Sequence, residues 1–137
     1  MNLNDTIIGE TLDVFPQTEA VYLYGSAVEN QLRSDSDIDV AVLLPNTLAR
    51  EIGTLAMHPL RQQLEAALNR AVDLVNLRTA STVFQNEVIV TGQRIYSAAS
   101  LAADEFEMHV LSLYQKLSAE RAGILADGLS SGRFYRV

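Results

Sequence analysis

The sequence predicts one small α/β (α+β) domain, in which helices flank a mixed sheet. Its 137 residues are the size of a single compact domain. Hydrophobic residues make up 48% of the chain and charged residues 20%, a balance that is typical of a globular protein and not of a disordered one. The spacing of the apolar residues changes several times between helical and strand-like, which gives the order helix–strand–strand–helix–strand–helix.

Each predicted element is bounded by Gly, Pro or a polar run. In chain order they are a helix over 5–14, strands over 20–24 and 37–44, a helical segment over 47–69, a strand over 72–77, a helix over 82–91, a short edge strand over 94–96 and an amphipathic helix over 101–125. Pro59 either kinks the 47–69 segment or starts a second helix there. Thr82 and Gln85 have the spacing of a capping box, and Gly92 suits the end of that helix.

The composition excludes several classes of function. The chain contains no cysteine, which rules out disulfides, thiolate metal sites and cysteine nucleophiles and fits a cytoplasmic location. The net charge of −7 disfavours direct binding to nucleic acid and favours metal cations or a basic protein partner. No apolar stretch approaches the roughly twenty residues that cross a membrane. The first residues are neither basic nor apolar, so we expect no signal peptide.

Asp37 and Asp39 are the strongest candidates for chemistry. Alternate residues of a strand face the same side, so both carboxylates would project together, roughly 6–7 Å apart at Cα. Because no basic residue of the strand neutralises them, a divalent cation would turn their repulsion into coordination. Asp35 and Asp37 form a rival pair, which is disfavoured because Asp35 fits better in the preceding turn.

Three further residues complete the pattern. Asp73 stands at the start of the third strand, between apolar residues. It would lie beside Asp37 and Asp39 if the second and third strands are neighbours in the sheet. There it would bind metal or accept the proton of an attacking hydroxyl. Gly25 lets the backbone approach a ligand closely, and Ser26 offers a hydroxyl and an N–H to a phosphate.

The order Gly25-Ser26, spacer, Asp37-Ile38-Asp39 and later Asp73 resembles the DNA polymerase β-type nucleotidyltransferase superfamily. The chain is most similar to the minimal nucleotidyltransferases (MNT type), which include the MntA-like antitoxins of HEPN/MNT toxin–antitoxin pairs. The segments that carry the likeness are 22–26, 36–42, 72–78 and 81–96. One departure is the Ala-Val-Glu-Asn that follows Ser26, where many relatives have Arg-Gly.

The resemblance implies a mixed-sheet nucleotidyltransferase core over 1–100. The amphipathic C-terminal helix over 101–127 lies outside this core; its apolar stripe is most simply an intramolecular packing face, and a partner contact is the second interpretation. The tail over 128–137 is predicted to be loose. The resemblance also implies transfer of AMP from ATP to a tyrosine hydroxyl of a partner HEPN ribonuclease toxin, in a hetero-oligomer with that toxin. Two Mg²⁺ ions would take part. The residues implied are Gly25 and Ser26 for nucleotide binding, and Asp37, Asp39 and Asp73 for catalysis and metal binding.

Two other functions stay open at this point. The chain would act as a non-catalytic antitoxin if it only occluded the toxin, or as a nucleotidyltransferase that modifies a small-molecule alcohol. The acid set favours catalysis over occlusion. The short length disfavours the small-molecule enzyme, since only one helix is left over for an acceptor. Tyr24 is interpreted as core and His109 as structural. Arg78 is interpreted as a surface or partner contact, and a nucleotide contact is its open alternative.

Overall fold

The computed structural model describes residues 2–25 and 36–131, and within them it confirms a mixed α/β fold. Its strands are β1 (Ala20–Tyr24), β2 (Ile38–Leu43), β3 (Val72–Asn76) and β4 (Gln93–Ser97). Its α-helices are α1 (Leu3–Val14), α2 (Asn46–Glu51), α3 (His58–Leu68), α4 (Thr82–Thr91) and α5 (Ala102–Ser131). Short 3-10 turns span Thr54–Met57 and Leu77–Thr79.

The four strands form one sheet in the order β3-β2-β1-β4. β1 runs antiparallel to both β2 and β4, whereas β2 and β3 are parallel. A parallel pair needs a long crossover, and α2 and α3 provide it. As a result, the amino ends of β2 and β3 lie side by side, and so do their carboxyl ends.

The two faces of the sheet pack against different helices. Ile38, Val40 and Val42 are fully buried on the face that α1 and α3 cover. Ala41 and Leu43 are fully buried on the opposite face, against α4 and α5. This alternation confirms the predicted facing of β2, and it puts Asp39 on the α4 and α5 side.

Two expectations about helix ends are settled by the structure. Pro59 lies in the first turn of α3, so the 47–69 segment forms two helices and not one kinked helix. The capping-box prediction is wrong, because Ser81 and not Thr82 caps α4: the Ser81 hydroxyl accepts the N–H of Phe84 at 3.2 Å. Gln85 is buried instead and donates to backbone carbonyl groups that follow β3.

Among the side chains of α5 that the structure describes, up to residue 123, those of the first turns pack on the sheet. Phe106 and Val110 are buried there, whereas Leu113 and Leu117, further along the same predicted stripe, are 37% and 39% exposed. The helix continues to Ser131, so it includes the first four residues of the predicted loose tail; residues 132–137 lie outside the described part. Among the described residues, no helix has the length and apolar character that crossing a membrane requires.

Candidate active site

The predicted aspartates line one cleft at the amino ends of β2 and β3. Asp39 and Asp73 are register partners on these parallel strands, where neighbouring chains lie about 4.8 Å apart. Asp37 stands one residue before β2 and is exposed. All three line a cleft of about 290 Å³. The condition set for Asp73, that the second and third strands be neighbours, is therefore met.

Backbone hydrogen bonds hold the two strand ends together beneath this cleft. The N–H of Ile38 donates to the carbonyl of Ala71 at 3.0 Å, which joins the start of β2 to the start of β3. The N–H of Val72 donates to the Glu65 carboxylate of α3 at 2.9 Å. This hydrogen bond is the main cause that lowers the pKa of Glu65. The two residues that precede Asp73 are thus fixed, Ala71 to β2 and Val72 to α3.

The carboxylates of the cleft repel one another. Burial raises the pKa of Asp39, and the neighbouring charges of Asp73 and Asp37 raise it further. The one cation that lines the cleft among the described residues is Arg61 of α3, whose side chain is 53% exposed and paired with Glu65 at 3.4 Å. The sequence analysis missed Arg61, because nothing in its spacing links α3 to the aspartates.

Tyr24 places a hydroxyl group beside these charges. It is the register partner of Asp39 on β1, and its ring packs edge-on against Phe84 with centroids 5.5 Å apart. Its hydroxyl is buried and has no hydrogen-bond partner among the described residues. Burial raises its pKa, and the charges of Asp73 and Asp39 add to the effect. The interpretation of Tyr24 as core therefore holds for its ring, while its hydroxyl belongs to the edge of the cleft.

Gly25 lies directly against the Asp39 carboxylate. Its φ of +71° is in the left-handed region, which strongly favours glycine. A Cβ added there would collide with a carboxylate oxygen of Asp39 and lie 3.3 Å from its Cγ. The structure thus brings one predicted nucleotide-binding residue to the aspartates. Ser26, like Asp35, lies outside the described residues.

The donor set suits a hard divalent cation. Ionised carboxylates are acceptors only, and Mg²⁺ is usually held by one or two of them together with phosphate oxygens and water. As they stand, no three His, Cys, Asp or Glu side chains in residues 2–25 and 36–131 are arranged to hold a metal ion. The crowded pair of Asp39 and Asp73 fits Mg²⁺ when a bound triphosphate supplies the remaining oxygens.

Sequence comparison assigns the family. The family described as "Polymerase beta, Nucleotidyltransferase" matches residues 7–100. The chain belongs to this family. Within it, the chain is similar to protein adenylyltransferase MntA of Shewanella oneidensis strain MR-1, with 37% identity over 131 residues that cover 94% of this chain and 90% of MntA. It is therefore an MntA-like minimal nucleotidyltransferase.

Solved structures of nucleotidyltransferases share the fold. A toxin–antitoxin structure with AMP-PNP matches with a TM-score of 0.77 at 34% identity, covering 92% of this chain and 98% of that one. The MNT antitoxin in complex with the tri-AMPylated HEPN toxin of Shewanella oneidensis matches with a TM-score of 0.71 at 33% identity, covering 93% of this chain and 96% of that one. A minimal nucleotidyltransferase at 22% identity, with a TM-score of 0.52 over 67% of this chain and 94% of its own, shares the fold alone.

Proposed function

We propose that this protein is an antitoxin that transfers AMP from ATP to a tyrosine hydroxyl of a partner HEPN ribonuclease toxin. The observation that carries the proposal is the pairing of Asp39 with Asp73 in one cleft with Asp37, directly against Gly25. Two comparisons support the reaction. One is with a protein adenylyltransferase, and the other is with an MNT antitoxin that was solved in complex with an AMPylated HEPN toxin.

In the proposed reaction, the hydroxyl oxygen of the toxin bonds to the α-phosphorus of ATP. The bond from that phosphorus to the bridging oxygen breaks, and pyrophosphate leaves. Asp73, which is exposed at the cleft, accepts the hydroxyl proton as general base or serves as the third metal ligand. Gly25, together with Ser26, holds the triphosphate, because the absence of a side chain at Gly25 keeps the backbone accessible.

We assign Asp37, Asp39 and Asp73 as the residues that would hold Mg²⁺, with two ions in the complete site. Bound Mg²⁺ would neutralise the triphosphate and lower the pKa of the attacking hydroxyl. Without a cation, three carboxylates would repel the nucleotide. Arg61 would contact phosphate oxygens from the α3 side, since a guanidinium presents several donors to such an anion.

The modification would silence the toxin by adding bulk and a negative phosphate where RNA phosphates bind. The acidic surface of this chain would favour association with a basic RNA-binding protein. We assign 1–100 to the catalytic unit, a boundary that the family match over 7–100 supports. The exposed Leu113 and Leu117 of α5 would contact the toxin in a cytoplasmic hetero-oligomer.

Transfer of labelled AMP tests the proposal. The chain is incubated with ATP labelled at the α-phosphate, Mg²⁺ and unmodified HEPN toxin, and we expect the label on a toxin tyrosine. Asp37→Ala combined with Asp39→Ala should abolish the transfer and leave the circular dichroism spectrum unchanged. Glu51→Ala combined with Glu87→Ala is the matched control, because both side chains are exposed and lie outside the cleft.

Three outcomes separate the candidate functions. An unlabelled toxin with the wild-type chain would overturn the proposal. Full protection of cells by the double aspartate variant would support neutralisation by occlusion. Label on a small alcohol in the absence of toxin would support the small-molecule enzyme.

A further inference from the structure

A second cleft lies on the same face of the sheet, at the carboxyl ends of β2 and β3. It opens between α2, α4 and α5 and has a volume of about 430 Å³, within the range of small-molecule sites. The aspartates stand at the opposite ends of the same two strands. Asp39 and Leu44 are five positions apart, which corresponds to about 17 Å along an extended strand. The two clefts are therefore separate.

The charge of this cleft is opposite to that of the chain. Three basic residues line it, namely Arg50 of α2, Arg78 after β3 and His109 of α5, and none of its lining residues is acidic. We call it the basic cleft. The whole chain carries a net charge of −7, so a cleft that two arginines line and no carboxylate lines is a candidate site for an anion.

Arg78 forms the fixed wall of the basic cleft. Its Nε donates to the carbonyl of Leu44 at 2.7 Å, and its guanidinium pairs with Glu19 at 2.5 Å. The same group lies 5.2 Å from the centre of the Phe106 ring. The expectation that Arg78 is a surface or partner contact is thus incomplete, because these bonds hold it partly buried. Its orientation would need no rearrangement when a ligand arrives.

Arg50 and His109 supply the donors that are free to move. Both side chains are exposed, and the bond recorded for the Arg50 guanidinium runs from Nε to Asn46 at 2.9 Å within the same helix. Arg50 lines the cleft, and none of the ion pairs among the described residues involves it. His109, interpreted from the sequence as structural, is an exposed lining residue instead.

The start of α4 borders the same opening. Thr82, the first residue of α4, lines the basic cleft, and the first N–H groups of a helix have no partner within it. The Ser81 cap satisfies the N–H of Phe84 alone. Guanidinium groups that converge with helix N–H groups are the arrangement that binds phosphate oxygens.

We propose that the basic cleft binds the phosphate group of a small molecule, such as pyrophosphate or a nucleotide, without a divalent cation. The proposal does not depend on the activity of the aspartate cleft, since it rests on different residues at the other ends of the strands. Free pyrophosphate and nucleotide phosphates share this chemistry, so the experiment compares them directly.

Titrations in EDTA test the proposal with the full-length chain. Inorganic phosphate, pyrophosphate, AMP and ATP are added separately, and backbone amide shifts are followed by NMR. Without divalent cations, the aspartate cleft should repel all four anions. We expect saturable shifts at Thr82 and near His109 with at least one of them. Arg50→Gln combined with His109→Gln should raise the Kd about tenfold or more, which is the effect of losing one charge-assisted hydrogen bond.

Lys116→Gln combined with Arg121→Gln is the matched control. Both side chains are exposed on α5 outside the cleft, so this variant removes at least as much positive charge as the test variant and should still bind as the wild type does. Equal weakening by the control would show non-specific attraction and overturn the proposal. Absence of saturable shifts with all four anions would also overturn it. AMP transfer to the toxin should persist in the Arg50 and His109 variant, which separates this test from that of the proposed function.

Discussion

Gly25→Ala tests whether the turn after β1 and the carboxylate of Asp39 are matched to each other. The backbone at Gly25 has a φ of +71°, and an alanine held there costs about 1–2 kcal/mol. The new methyl group would also collide with an oxygen of the Asp39 carboxylate. Either the turn changes or Asp39 rotates away, so both stability and AMP transfer should fall.

Gly9→Ala provides the control for the same chemical change. Gly9 lies within α1, and an added Cβ there meets nothing within 4 Å. Alanine in a helix should be more stable than glycine by about 0.5–1 kcal/mol. The two variants should therefore shift stability in opposite directions and differ by about 2 kcal/mol.

Thermal unfolding and AMP transfer to the toxin measure the two effects. For a domain of this size, about 1 kcal/mol corresponds to roughly 4 °C in Tm. We expect Gly25→Ala to melt about 4–8 °C below the wild type and to lose most of its transfer activity. Gly9→Ala should melt slightly higher and keep its activity. A Gly25→Ala protein as stable and active as Gly9→Ala would refute the reasoning.

Two further predictions concern the groups around the aspartates. Tyr24→Phe should raise the free energy of unfolding by about 1 kcal/mol, because it removes a buried hydroxyl that lacks a partner among the described residues. Unfolding in urea measures this change, and a decrease in the free energy of unfolding of similar size would contradict the prediction. Burial and the charge of Asp73 raise the pKa of Asp39 above its ordinary value of 3.8. The ionised Asp39 therefore lowers the stability of the folded state. This loss is complete above the folded-state pKa and disappears as the pH falls below 3.8. Asp39→Asn should therefore have a higher free energy of unfolding than the wild type at pH 7 and the same value at pH 3. A gain in stability that does not change with pH would argue against repulsion between Asp39 and Asp73.

Local sequence signals predicted most of the secondary structure. The observed β1 and α4 coincide with the predicted 20–24 and 82–91, because β-forming residues and helical spacing are local properties. The cap of α4 was misplaced by one residue. Ser81 and Thr82 both carry a hydroxyl, and the choice between them depends on Gln85, which tertiary packing draws into the core.

The sequence predicted the lining residues of the aspartate cleft better than those of the basic cleft. The reason is that two of the aspartates are close together in the sequence, whereas the residues of the basic cleft are far apart in it. Asp37 and Asp39 are neighbours in the chain, so strand alternation was enough to place them together. Arg61 reaches the same cleft only because α3 crosses back to make β2 and β3 parallel. The basic cleft joins Arg50 and His109, which stand 59 positions apart in the sequence, and no local pattern connects them.

The two clefts differ in what they require of an anion. At the amino ends of β2 and β3, Asp39 and Asp73 repel each other, so a triphosphate should bind there only with a cation that neutralises them. At the carboxyl ends, Arg50 and Arg78 line an opening that no carboxylate lines, and Glu19 balances the charge of Arg78 but not that of Arg50, so a phosphate should bind there without a cation. Ala41 and Leu43 are buried between these ends on the same face of β2. Metal dependence is therefore the property that distinguishes phosphate binding at one end of the sheet from binding at the other.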